Sequence, residues 1–86
     1  MSLPIAVITG ASSGIGAASA LHFSKNGYEV YLTARNLDRL GYVAEKLEGP
    51  SKIFTCDISD EESIHNLITD IKASTTQIDC LVNNAG

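Results

Sequence analysis

The sequence has few of the residues that form metal sites and nucleic-acid-binding surfaces. It contains two cysteines and two histidines, and no Cys-x-x-Cys or His-rich spacing brings them together, which excludes the usual zinc-binding patterns. Its six lysines and arginines form no cluster, and the formal net charge is −4. This balance argues against a nucleic-acid backbone or an anionic membrane as the main partner. We therefore expect no metal site and no nucleic-acid partner.

Long hydrophobic runs are also absent. No apolar segment is long enough to cross a bilayer, and the first residues, Met1 to Pro4, lack the basic segment and apolar core of a secretory signal. We therefore expect a cytoplasmic protein without a membrane segment. The length of 86 residues corresponds to one small domain or a piece of a larger one. A hydrophobic content of 44%, interleaved with charged residues, is typical of a globular chain.

The cysteines and histidines are better explained by packing and exposure than by chemistry. Cys56 and Cys80 lie in or at the end of apolar, strand-like runs, which favours buried small hydrophobic residues over a redox or metal role. His22 and His65 fall at helical positions without a partner ligand nearby in sequence, so we expect both at the surface.

A glycine-rich stretch, Thr9–Gly16, directly follows the apolar run Ile5–Ile8. Glycines let the main chain bend tightly and approach a ligand, and the free N–H groups of a first helical turn attract an anion such as a diphosphate. The spacing Gly-x-x-x-Gly-x-Gly differs from the common Gly-x-Gly-x-x-Gly fingerprint. Ala17-Ala18 replaces the Lys-Ser/Thr pair of a nucleotide-triphosphate loop. A flexible turn without a ligand is the alternative.

Short strand-like runs alternate with longer helical ones, which is typical of βαβ units with a parallel sheet. We predict strands at Ile5–Thr9, Tyr28–Thr33, Lys52–Cys56 and Ile78–Val82, and helices at Gly14–Asn26, from the N-cap Asn36 to Gly49-Pro50, and from Ser59 through Ile71.

The helices carry further signals. The first is rich in alanine, with Ile15, Ala18 and then Leu21 or His22 at successive helical spacing, so that it can lie close to the sheet. The third begins with a predicted capping box in which the Ser59 hydroxyl and the Glu62 carboxylate each satisfy a free amide. This local role explains the acidic residues there without catalysis.

Three segments together resemble the short-chain dehydrogenase/reductase family. They are the Thr-Gly-x-x-x-Gly-x-Gly of Thr9–Gly16, the Asp57-Ile58 pair after the third strand, and the Asn-Asn-Ala-Gly of Asn83–Gly86. The resemblance extends over all 86 residues but covers only about the first third of a typical member. It implies that residues 1–86 are the N-terminal part of a single NADP(H)-binding Rossmann domain. Its fold would be a three-layer α/β one, truncated relative to the family, with three helices and a parallel sheet of four strands in the order 3-2-1-4. In that order, right-handed crossovers would place the first two helices on one sheet face and the third on the other. The fourth strand would be left with an unpaired edge.

The resemblance also implies a cofactor site at the carboxyl ends of the first and fourth strands. The residues that would hold the pyrophosphate belong to the glycine loop: Gly10, Ser12, Ser13, Gly14, Ile15 and Gly16. Asp57 would accept from the adenine amino group beside the Ile58 amide, although a turn role for Asp57 is the alternative. Asn84, Ala85 and Gly86 would line the nicotinamide-side ribose. Asn83 would instead tie the fourth strand to its neighbours.

The end of the second strand bears on the choice of cofactor. A carboxylate there would bind the adenosine 2′-OH and repel a 2′-phosphate, but this chain has Ala34 followed by Arg35. A guanidinium can hold a phosphate in a forked, charge-assisted pair. NADP(H) is therefore favoured over NAD(H). Ser13 occupies the place of a second basic residue found in some family members, so Arg35 would act nearly alone.

The residues that perform the family's chemistry are missing. Members use a Tyr-x-x-x-Lys pair and an upstream serine, whereas the one match here, Tyr42 to Lys46, lies in an amphipathic helix remote from the predicted site. We expect no catalytic residue in this chain and a small-molecule substrate only in a full-length protein. The main hypothesis is the NADP(H)-binding part of an oxidoreductase acting on a carbonyl or alcohol, assembled as a homo-oligomer.

Two other functions stay open at this point. The first is a non-catalytic nucleotide-binding or regulatory module. The second is a methyltransferase of similar sheet topology. A methyltransferase would need an acid at the end of the second strand to bind a ribose, and Arg35 argues against it.

Overall fold

A four-stranded parallel sheet with three helices forms the fold of the computed structural model, which describes residues 3–12 and 14–83. The elements in chain order are β1 (Ile5–Thr9), α1 (Gly14–Lys25), β2 (Glu29–Ala34), α2 (Leu37–Lys46), β3 (Ser51–Thr55), α3 (Glu61–Ser74) and β4 (Cys80–Asn83). The strand order is β3-β2-β1-β4 and every pairing is parallel. The predicted α/β class and strand order are therefore confirmed.

The two faces of the sheet hold separate hydrophobic clusters. On one face, Ala6 and Ile8 of β1 pack with residues of β2, with Ala20 of α1 and with Leu40 of α2. On the other face, the cluster includes Tyr31 of β2 and Ile71 of α3. Because both faces are covered, β1 is a continuous apolar run without alternation. The placement of α1 and α2 opposite α3 agrees with the right-handed crossover rule.

Helix α1 rests on the sheet through small side chains. Its buried residues are Gly16, Ala20 and Ser24, spaced four apart, whereas Ile15 is 74% exposed. The predicted spacing of Ile15, Ala18 and Leu21 or His22 therefore does not mark the buried face. Small residues occupy the buried face because they allow the helix axis to come close to the strands. The Oγ of Ser24 also accepts a hydrogen bond of 3.0 Å from the backbone N–H of Gly49.

Some helix termini follow the sequence signals, but α2 ends at Lys46, before the predicted Gly49-Pro50, and the start of α3 also differs. Asn36 caps α2 as predicted, its Oδ1 accepting from the Arg39 N–H at 3.0 Å, and the stop after α1 has Gly27 at a φ of 85°. The predicted capping box of α3 is wrong. Asp60 is the N-cap and accepts from the Glu62 N–H at 3.2 Å. The Ser59 hydroxyl does not cap the helix because it donates to the Asp57 carboxylate at 2.7 Å instead.

The last strand begins later than the predicted Ile78. The side-chain Oδ2 of Asp79 accepts a hydrogen bond of 2.8 Å from the Ile5 N–H. The regular pairing of β4 with β1 therefore starts at Cys80. Strand β4 also forms an open edge of the sheet, and Leu81 is 64% exposed on it. The two cysteines are free thiols, with Cys56 buried and Cys80 half-buried. Cys56 follows β3 and Cys80 begins β4, so they lie at the two opposite edges of the sheet.

Candidate cofactor-binding site

The loops that follow β1, β2 and β3 surround one cavity of about 310 Å³ at the carboxyl ends of the strands. Gly10 and Ser12 line it from the first loop, Arg35 from the second, and Asp57 and Ile58 from the third. These five residues come from three separate parts of the chain, and all were predicted to belong to the site. Parallel strands bring them together because their carboxyl ends meet at one edge of the sheet.

The glycine loop turns tightly and packs against the helix that it opens. Gly10 has a φ of 62°, a left-handed conformation that suits glycine. At Gly16, an added Cβ would overlap the carbonyl oxygen of Gly10 and lie 2.8 Å from its carbonyl carbon and 3.0 Å from the Ala11 Cα. All three atoms belong to the main chain. The loop and the first turn of α1 can therefore approach this closely only because Gly16 has no side chain.

Hydrogen bonds tie the neighbouring loops together. The Ala11 N–H donates to the Thr33 carbonyl at 3.1 Å, and the Cys56 N–H donates to the Ala34 carbonyl at 3.0 Å. At the other side of β1, the Thr9 hydroxyl lies 3.0 Å from the Asn83 Oδ1. Asn83 thus joins β4 to β1, as predicted. The cavity walls are consequently held by the same backbone that forms the sheet.

Asp57 is held as a carboxylate by its neighbours. Its Oδ1 accepts from both the hydroxyl and the N–H of Ser59, at 2.7 and 3.0 Å, while its own N–H donates to the Ser63 hydroxyl at 2.9 Å. The Ser59 hydroxyl lowers the pKa of Asp57 most, followed by the Ser59 N–H, and the charge of Arg35 lowers it further. These contacts form the turn that was the alternative role for Asp57. Across residues 3–12 and 14–83, Oδ2 has no hydrogen-bond partner and is available to a ligand.

Replacing Ser59 with alanine is expected to raise the pKa of Asp57 towards its ordinary value, because the largest favourable contact of the ionised form is lost. The lowered pKa also means that this contact stabilises the fold above the ordinary pKa and is lost as the pH falls through the folded pKa. A ¹³C-detected NMR titration of the carboxylates measures the change. An unaltered pKa for Asp57 in the variant would contradict this account, and Ser74→Ala, remote from the site, is the control.

The remaining predicted residues lie beside the cavity or outside the described chain. Gly14, at the start of α1, lines a neighbouring cleft of about 300 Å³ with Ser12, and Ile15 is exposed beside it. Ser13, Asn84, Ala85 and Gly86, all predicted to bind the cofactor, lie outside the residues that the structure describes.

The structure adds lining residues that the sequence analysis missed. The cavity that Arg35 and Asp57 line is also lined by Cys56, Ser59 and Leu67. Arg39 lines the neighbouring cleft. The Asp-x-Ser spacing of Asp57 and Ser59 is a turn signal that points to Ser59. Nothing in the sequence points to Leu67, which reaches the cavity from α3.

Two kinds of feature are absent from the described part of the chain. No helix there is long and apolar enough to cross a membrane. No group of histidine, cysteine, aspartate or glutamate side chains among these residues is arranged to hold a metal ion.

Comparison with known proteins identifies the family. The family model for the short chain dehydrogenases matches residues 4–86. An uncharacterized oxidoreductase of Staphylococcus epidermidis is 38% identical over 82 residues, covering 95% of this chain and 36% of that protein. A fatty acyl-CoA reductase of Acinetobacter baylyi is 42% identical over 85 residues, covering 95% of this chain and 29% of that protein.

Solved structures agree. A metagenomic short-chain oxidoreductase, crystallised in complex with NADP, superposes with a TM-score of 0.92 at 40% identity, covering 96% of this chain and 39% of that one. A hydroxysteroid dehydrogenase from Escherichia coli gives a TM-score of 0.87 at 34% identity, covering 96% of this chain and 37% of that one. This chain thus spans less than two fifths of the length of these relatives. It belongs to the short-chain dehydrogenase family.

Proposed function

We propose that the chain is the NADP(H)-binding part of an oxidoreductase that moves a hydride between nicotinamide and a carbonyl or alcohol substrate. The observation that carries the proposal is the single cavity in which Gly10, Ser12, Arg35 and Asp57 meet. It offers an anion-binding loop, a cation and a carboxylate within one space of about 310 Å³. The bound cofactor would supply the hydride, and the residues described here would bind and orient its adenosine diphosphate half.

The start of α1 fits a pyrophosphate. Its first turn contains no acidic residue, so nothing there opposes the positive end of the helix dipole. The amides of the first helical turn, at Gly14, Ile15 and Gly16, have no partner within the helix itself and form an anion site. Ile15 is 74% exposed at this end, which leaves the approach to these amides open to solvent.

The opposite wall of the cavity fits the adenosine. We propose that the Oδ2 of Asp57 accepts a hydrogen bond from the adenine amino group, since its Oδ1 already accepts from Ser59. The Ile58 amide lies beside it in the same wall. Arg35 is exposed at the end of β2, where its guanidinium is available to a 2′-phosphate. A carboxylate at Ala34 would instead favour NAD(H), and its absence is the reason to propose NADP(H).

Titration with NADPH, followed by its fluorescence, tests the proposal. We expect saturable binding, weakened about tenfold or more in Asp57→Ala because a hydrogen bond to an ionised group is lost. Asp38→Ala is the matched control, since Asp38 is an exposed carboxylate in the first turn of α2 and does not line the cavity. Absence of saturable binding, or equal affinities for the two variants, would refute the assignment.

A non-catalytic nucleotide-binding module is the second candidate. The observation in its favour is that the single Tyr-x-x-x-Lys match starts at Tyr42, which is 70% exposed on α2 and does not line the cavity of Arg35 and Asp57. The coding sequence past Gly86 separates the candidates. A downstream serine and Tyr-x-x-x-Lys pair would support the oxidoreductase, and a stop codon would support the module.

We also propose that the chain acts in the cytoplasm. We further propose that it self-associates through the open β4 edge or the sheet face beside it. The exposed side chains of Leu81 (64%) and Ile78 (47%) supply apolar surface for such a contact. Light scattering is expected to show a dimer or larger species, and Leu81→Asp is expected to dissociate it. A monomer that unfolds cooperatively at high temperature would contradict self-association.

A further inference from the structure

A second cavity, larger than the first, lies at the opposite edge of the sheet. Its volume is about 450 Å³. It is bounded by Leu3 and Pro4 before β1, by Glu29 and Tyr31 at the start of β2, and by the loop that follows α3. Because Glu29 is the first residue of β2, this cavity is at the amino ends of the strands. The proposed NADP(H) site is at their carboxyl ends, so the two do not overlap.

Tyr31 lines this cavity with a hydroxyl-bearing side chain. The residue is only 1% exposed, and its ring packs on Phe54 with the ring centroids 5.3 Å apart. Among residues 3–12 and 14–83, the Tyr31 hydroxyl makes no hydrogen bond. Burial raises the pKa of Tyr31, and the negative charge of Glu29 raises it further. A buried hydroxyl without a partner is costly, so a group that enters the cavity and bonds to it gains free energy.

The cavity is also negatively charged. The half-buried Glu29 carboxylate has no ion-pair partner in the described part of the chain, and it lies on the same strand face as Tyr31. Asp79 accepts from two uncharged donors, the Ile5 N–H and the Gln77 Nε2, each at 2.8 Å, so neither of these contacts is an ion pair.

The basic side chains of the described residues lie outside this cavity. No lysine, arginine or histidine lines the cavity. Lys72, in the last turn of α3, and Lys52, whose Nζ lies 6.0 Å from the centroid of the Tyr31 ring, are both outside its lining. The carbonyl end of α3 adds further negative potential at the same edge, because Ser74 and Thr75 line the cavity there.

We propose that this cavity binds a small organic cation that carries a primary ammonium group. The ammonium has three donors and no acceptor, which matches the Glu29 carboxylate and the lone pairs of the Tyr31 hydroxyl. Leu3 and Pro4 provide an apolar wall for an aliphatic chain. A volume of about 450 Å³ is in the range of small-molecule sites. A neutral alcohol of the same shape would lose the charge-assisted bond and bind less tightly.

The test is a titration of the chain with 1,4-diaminobutane, followed by ¹H–¹⁵N NMR at constant ionic strength. We expect saturable shifts confined to the amides around Glu29, Tyr31 and the loop after α3. Glu29→Gln is expected to weaken binding about tenfold or more, and Tyr31→Phe about threefold or more, because each removes one acceptor. Tyr31→Phe keeps the ring packing, and the same spectra verify that each variant is folded.

Two controls make the result specific. Glu45→Gln removes an exposed carboxylate on α2, away from the cavity, and is expected to leave binding unchanged. Titration with 1,4-butanediol is expected to give weaker or no shifts. The proposal is overturned if the diamine gives no saturable shifts in this region, if Glu45→Gln weakens binding as much as Glu29→Gln, or if the diol binds equally well. NADPH binding is measured separately at the other edge, so the two proposals fail or stand independently.

Discussion

Replacing Gly16 with alanine is expected to cost about 3 kcal/mol of folding stability, at the upper end of the range for overpacked sites, and to abolish measurable NADPH binding. The new Cβ would overlap the Gly10 carbonyl oxygen and crowd the Ala11 Cα at 3.0 Å. These are main-chain atoms, so no side-chain rotation relieves the overlap. The glycine loop has to move away from α1, and the amides proposed to hold the pyrophosphate move with it.

Gly41→Ala is the matched control for this prediction. Gly41 is also helical, but a Cβ added there meets nothing within 4 Å. An alanine in a helix interior is favoured over glycine by about 0.5–1 kcal/mol, so this variant is expected to be slightly more stable. Urea unfolding of the three proteins, together with the NADPH titration, measures both effects. Equal stability of Gly16→Ala and the parent would show that the loop tolerates displacement and would contradict the argument.

The α/β class could be predicted from sequence because it depends on features that are local and repeated. The continuous apolar run Ile5–Ile8 indicates a strand buried on both faces, and the glycine loop after it indicates the turn into a helix. The strand order was implied by the resemblance to the family, and right-handed crossovers then fix the face on which each helix lies. The N-cap Asn36 was predictable for the same reason, since its partner Arg39 is three residues away.

The errors have two causes, packing against distant elements and competition between neighbouring residues for one hydroxyl. The buried face of α1 is set by close approach to the sheet, which selects Gly16 and Ala20 over the larger Ile15. Leu67 lines the cavity of Arg35 and Asp57 although it belongs to α3 and not to the loops that follow the strands. These two positions depend on tertiary contacts, which a single sequence does not contain. Ser59 is an acceptable N-cap by sequence, but its hydroxyl donates to the Asp57 carboxylate instead.

The cavity at the amino ends of the strands could not be predicted from the sequence, for a related reason. Tyr31 lies in the predicted strand Tyr28–Thr33, but a strand position does not indicate whether its hydroxyl finds a hydrogen-bond partner. The absence of a partner among the described residues is a property of the surrounding elements. Only the positions of Glu29 and the loop after α3 show that Tyr31 lines a charged cavity.

Arg35→Ala is expected to weaken NADPH binding about 30-fold and to leave NADH binding nearly unchanged, because a charge-assisted pair to the 2′-phosphate is lost. Arg35→Lys keeps the charge but loses the forked geometry, so we expect an intermediate loss. Parallel fluorescence titrations with NADPH and NADH measure the ratio of the two affinities. Lys25→Ala, at the far end of α1, controls for the change in net charge.

The contrast between the two cofactors is sharp because the rest of the site does not depend on Arg35. The guanidinium lowers the pKa of Asp57, but the two contacts from Ser59 have larger effects, so Asp57 stays ionised at neutral pH without it. The carboxylate therefore remains available to the adenine of either cofactor. Arg35 is exposed, so its pair with the phosphate is screened by salt, and the preference for NADPH should narrow as ionic strength rises. Equal losses of affinity for NADPH and NADH in Arg35→Ala would instead mean that Arg35 supports the loop. That result would contradict the proposed preference for NADP(H).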